Sequence, residues 1–168
     1  MATLNVFRNG GLWDNEQFRK DNSENSIQKI CLKNGLITSS LLIASFMALC
    51  AITHTLEINQ LSAINLFILA FGVYFALEEL SPDGKGASIE YFEGFKVGLY
   101  TSLIAVGIHT LFIGIYTSLD VSILNQISEG GFWNFTANPL AAAGITLFEG
   151  LAAGLIITYC LMQYFKKN

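Results

Sequence analysis

Residues 35–53 read GLITSSLLIASFMALCAIT, with no charged side chain and no polar group larger than a Ser or Thr hydroxyl. An amphipathic helix on the surface of a soluble bundle shows a polar face about every 3.6 residues, and this run has none. Its few hydroxyls can bond to the backbone of their own helix. A helix of this length crosses a hydrocarbon core of ~30 Å at 1.5 Å per residue.

The same pattern recurs along the chain. Residues 34–53, 58–77, 97–119 and 130–165 are free of Asp, Glu, Lys and Arg, with Glu149 as the sole exception. Apolar residues make up 52% and charged residues 13%, with a mean hydropathy of +0.49, too apolar for a soluble domain of 168 residues. The sequence predicts an all-α polytopic integral membrane protein, an antiparallel up-down bundle of four transmembrane helices over about 29–53, 59–79, 97–118 and 138–165. Residues 1–27 form a polar N-terminal arm with a break expected at Asn9-Gly10-Gly11, and residues 28–168 form the membrane domain. Trp13 and Phe18 are suited to anchoring a short interfacial helix in that arm.

All nine Lys and Arg residues lie in the N-terminal segment, the 81–95 loop with Lys96, and the C-terminus. Four crossings put these on one side of the membrane and leave the 54–58 turn and the 119–137 loop, which hold none, on the other. The positive-inside bias makes both termini cytoplasmic. Ser81-Pro82-Asp83-Gly84 has β-turn chemistry, and Ala87 to Lys96 is expected to lead helically into the third span. Asn138-Pro139 opens the fourth. The outer loop carries Phe132, Trp133 and Phe135, suited to the membrane boundary, and a glycosylation sequon at Asn134. No cleavable signal peptide is expected, and Cys31, Cys50 and Cys160 are expected to be small buried side chains without a disulfide.

Glu149 stands out, because a carboxylate within a span costs ~2.5–3.5 kcal/mol on insertion scales. It lies eleven residues inside Asn138, as His109 lies eleven inside Asp120, so an intramembrane pair of His109 and Glu149 is expected if spans three and four are neighbours. Three readings of that pair stay open: a structural interhelical contact, a proton or cation site, or a contact with a partner protein. Two ligands are too few for zinc, so no metal site and no cofactor are expected.

Small residues recur every four positions in span four, at Ala142, Thr146, Gly150, Gly154 and Thr158, including a GxxxG pattern; Gly94 and Gly98 are spaced alike at span three. Packing within the monomer is the first reading and a dimer face the second. The segments 33–39 and 96–102 share five of seven residues, a weak sign of duplicated helix pairs. Glu78, Glu79, Glu90 and Glu93 form an acidic belt at the cytoplasmic ends. No P-loop, GxSxG, CxxC, HExxH or dinucleotide fingerprint is present, and no basic patch points to nucleic acid.

From Lys33 onward the chain resembles an uncharacterised bacterial four-helix membrane family common in Bacteroidetes, domain of unknown function 4199. The resemblance rests on 92–99 (FEGFKVGL), 138–149 (NPLAAAGITLFE), 154–157 (GLII) and the terminal Lys pair. The family's pattern has a proline shortly after the span-four glutamate, where this chain has Ala152. Residues 1–30 lie outside it. The resemblance implies four membrane helices and a bacterial inner membrane, and it brings no catalytic residue. The function expected is a non-enzymatic inner-membrane component, an accessory subunit or scaffold, with the lipid bilayer and other subunits or a homo-oligomer as partners. The alternative is a small proton- or cation-linked transporter or channel built on His109 and Glu149.

Overall fold

The computed structural model describes residues 6–52, 58–81, 90–120, 123–125 and 138–166, with side chains described over 24–51, 63–81, 90–120, 123–125 and 138–165. Four long helices make up almost all of it: α1 (Val6–Ile52), α2 (Ile58–Leu80), α3 (Tyr91–Leu119) and α4 (Pro139–Lys166). Each contains a segment long and apolar enough to cross a membrane: Glu24–Ala51, Ala63–Leu80, Tyr91–Leu119 and Pro139–Phe165. The fold is all-α with four candidate spans.

Pro139 is the first residue of α4, where its missing N–H costs nothing, and the Asn138 side chain caps that end by accepting from Leu140 N at 3.0 Å. Some span hydroxyls turn back onto their own helices, whereas those of Thr101, Ser102, Thr110 and Thr158 are buried without a hydrogen-bond partner among the described residues. Thr38 donates to Asn34 O (2.7 Å), Thr117 to Ile113 O (2.7 Å) and Thr146 to Ala142 O (2.9 Å), which removes the cost of carrying a hydroxyl into an apolar medium.

The helices alternate in direction. Thr38 faces Gly72 and Ser45 bonds to Asn65, so α1 and α2 are antiparallel. Gly98 faces Thr158 and Gly150 faces Val106, so α3 and α4 are antiparallel too. Cys31 lies against Val97 and Phe46 against Phe112, so α1 and α3 run parallel. Helix α3 packs on all three others, and α2 touches α4, but among the described residues α1 and α4 do not meet. The halves α1–α2 and α3–α4 are therefore not interchangeable about a two-fold axis. The repeated glycines differ likewise: Gly35 faces Ile104 of α3, whereas Gly98 faces Thr158 of α4.

Three apolar clusters stack along the bundle. One, at the end bearing Lys33 and Glu79, joins Cys31, Val73, Ala76, Leu77, Val97, Met162 and Phe165. The middle one contains Leu42, Leu69, Ala105 and Val106. At the far end Phe46 takes Phe112 and Tyr116 edge-on, with ring centroids 6.0 and 5.5 Å apart, and Ile113 and Ile123 close over it.

Several expectations are corrected. The helix runs unbroken through Asn9-Gly10-Gly11, where a break was expected. Two glycines cost ~1 kcal/mol each in a helix, and no proline forces a stop. The expected continuous lead-in from Ala87 to Lys96 is interrupted at Glu90, whose ψ of 124° lies outside helical space, and α3 begins at Tyr91; Ala87 to Ile89 lie outside the described residues. Within the expected outer loop, 123–125 is a short helical piece with Ile123 and Leu124 buried. All three cysteines are free, but only Cys31 is buried, and Cys160 is exposed. The readings placed on Trp13 and Phe18, Pro82 to Gly84, His54, Glu57 and 126–137 concern residues or side chains outside those described.

Candidate functional site

The polar centre of the bundle follows from the α3–α4 register. Gly98 pairs with Thr158, Gly154 with Ser102 and Gly150 with Val106, each step four residues on both helices. This seam brings the two backbones close, because a Cβ at Gly154 would lie 2.6 Å from the Ser102 Cβ and one at Gly98 would strike Thr158. Thr158 and Ala142 are buried along the same stripe, whereas Thr146 turns its side toward a cavity. Continuing the register sets His109 level with Leu147 and Glu149 level with Gly107, an offset of ~3 Å along the axis.

His109 and Glu149 thus line one cavity of about 230 Å³. Other walls come from Leu42 of α1, Asn65 and Leu69 of α2, and Thr146 of α4, so all four helices contribute. No direct hydrogen bond joins His109 to Glu149 among the described residues. His109 is 95% buried, and its Nδ1 has no hydrogen-bond partner. Glu149 is exposed at the cavity's mouth, on the outward side of α4. Asn65 is held in place by Ser45, whose hydroxyl lies 3.2 Å from its Oδ1.

A carboxylate, an imidazole, an amide and a hydroxyl thus converge at mid-span. The space is ample for water, which needs only ~10–15 Å³ of probe-occupied volume and two to four polar partners. Such water would connect the orphan Nδ1 to Glu149 and relieve a buried polar atom that otherwise costs ~1–3 kcal/mol. Among the described residues no three His, Cys, Asp or Glu side chains converge in a way that could hold a metal.

The sequence reading missed Asn65 and Ser45. The available signal was an amide within the uncharged run 58–77, but its neighbours Asn59 and Gln60 diluted it.

A second polar group lies at the charged end. Both oxygens of Glu79 are used: Oε1 receives Lys33 Nζ at 2.9 Å and Oε2 receives Asn34 Nδ2 at 2.9 Å. This ties the start of the α1 span to the end of α2. No protein-family model, no curated protein and no solved structure matches the chain.

Proposed function

We propose that this chain is a non-enzymatic component of a bacterial inner membrane, an accessory subunit or scaffold, with both termini cytoplasmic and with membership of the family it resembles, domain of unknown function 4199. One observation carries the reading: Glu149 is exposed on α4, the span that buries the smallest share of itself within the protomer. A carboxylate facing lipid at mid-span is costly, and a neighbouring subunit that covers the cavity mouth removes that cost. Leu140, Phe148 and Ile156 extend the same outward side as an apolar surface for another helix.

The experiment is a photo-crosslinker at Phe148 in the intact membrane, with purification in mild detergent and native mass spectrometry. The reading expects a crosslink of defined stoichiometry, to a second copy or to another subunit, that weakens in Glu149→Leu. A lipid-coated monomer with no crosslink, unaffected by that substitution, would overturn it.

The cavity favours a second reading, a small proton- or cation-linked transporter or channel. Its polar groups come from separate helices, as pathways require. Proteoliposomes should then show pH-dependent flux that disappears in Glu149→Gln. Undiminished flux in that variant excludes this site.

A further inference from the structure

Helices α1 and α2 leave a groove of about 650 Å³ on the outside of the bundle. Its floor is the closest approach of the two helices, where Gly72 lies against Thr38 with no room for a Cβ. Ile37 and Leu41 form one wall, Phe71 and Phe75 the other, and all four are exposed. From Glu79 back to Ile68, its deepest α2 residue, is eleven residues or ~16 Å of helix. That is about half of a ~30 Å hydrocarbon core, the depth of a single leaflet.

The groove is polar at one end only. There each oxygen of Glu79 already accepts one hydrogen bond, from Lys33 and from Asn34. Glu78 lines the same end, half-buried, with no hydrogen bond to its carboxylate among the described residues. Glu78 thus offers an acceptor for a cationic headgroup at the end of the groove. An incoming primary ammonium offers three N–H donors, whereas a quaternary ammonium offers none. Lys33 is 60% exposed and gives one of its three donors to Glu79, which leaves two for a phosphate oxygen.

We propose that this groove binds a phospholipid bearing a primary amine. One acyl chain lies along the Gly72–Thr38 floor, the ammonium donates to Glu78, and the phosphate accepts from Lys33. The site is distinct from the His109–Glu149 cavity, and its fate does not depend on the role given to that cavity.

The full chain would be placed in nanodiscs containing equal amounts of ethanolamine, choline and glycerol phospholipids with identical acyl chains. It would then be released for native mass spectrometry. Retained ethanolamine lipid is expected to exceed each of the others by roughly tenfold, the size of one hydrogen bond to a charged group. Glu78→Gln should bring the three headgroups to near parity while total lipid retained stays the same. Leu41→Trp, which fills the groove below the headgroup, should lower retention of all three. Equal retention by the unaltered chain, a preference for the glycerol lipid, or an unchanged preference in Glu78→Gln would each overturn the proposal. So would a groove occupied by a second copy, read as a lipid-free dimer that Leu41→Trp dissociates. Circular dichroism of each variant confirms that its helices are intact, and the ranking in the unaltered chain decides the question even if one variant does not fold.

Discussion

A methyl group added at Gly154 would meet the Ser102 Oγ at 2.8 Å, while one added at Gly107 would have nothing within 4 Å. Both glycines sit inside helices, so a propensity argument treats them alike and packing separates them. Gly107→Ala should be neutral or stabilising by up to ~1 kcal/mol, because alanine restricts the unfolded chain without a clash. Gly154→Ala should destabilise by ~1–3 kcal/mol, since the opposing Ser102 Cβ is close to the backbone and cannot swing away. Unfolding titrations in mixed detergent micelles measure both, and equal effects would contradict the seam. The stripe from Ala142 to Thr158 could be read from the sequence, because spacing of four is a helix property. Which of its members pack closely could not: Thr146 lies on the stripe yet is only half-buried and lines the cavity. The same holds for His109 and Glu149. Counting from the span ends put them at similar depth, but the distribution of burial, with the imidazole inside and the carboxylate at the mouth, depends on how the helices rotate about their axes.

Between elements, the connection of α1 to α2 rests on one carboxylate with two unequal partners. Lys33 is 60% exposed on its ion pair with Glu79, whereas Asn34 is 7% exposed and also donates to Ile30 O at 3.0 Å. Solvent screens the first and side-chain entropy opposes it, so Lys33→Ala should cost no more than ~1 kcal/mol. Asn34→Ala removes the buried donor to the Glu79 carboxylate, a hydrogen bond to a charged group, and should cost ~1–3 kcal/mol. The ordering is the decisive result, because a rank based on formal charge is the reverse. At the start of α4, Asn138→Ala removes the acceptor for Leu140 N and should cost ~1 kcal/mol, with fraying detectable as faster amide exchange over the first turn. That cap was legible because Asn-Pro is a local signal. The continuity of α1 through Gly10-Gly11 was not, since glycine weakens a helix without ending it.

At the scale of the whole molecule, charge placement and helix direction agree on one point. Cys31 of α1 and Phe165 of α4 belong to the same apolar cluster, so the start of the first span and the end of the last lie at one end of the bundle. Lys33 and Glu79 sit at that end as well. The number and length of the spans were legible because the bilayer imposes a length on any helix that crosses it. The contact of α2 with α3, and the separation of α1 from α4, were not, because every apolar face suits lipid as well as it suits a neighbouring helix. With an even number of crossings, reporters fused after Asn168 and before Met1 must occupy the same compartment. On the proposed orientation, which rests on the placement of the nine Lys and Arg residues, that compartment is the cytoplasm. A reporter active only after export should therefore be silent at both termini, and a cytoplasmic fluorescent reporter bright at both. Exchanging Lys166 and Lys167 for Gln should leave this unchanged, because five of the nine cations precede the first uncharged run, 34–53, and the first span usually dominates the choice of orientation. Opposite compartments for the two ends would require an odd number of crossings, which the shared cluster of Cys31 and Phe165 does not permit.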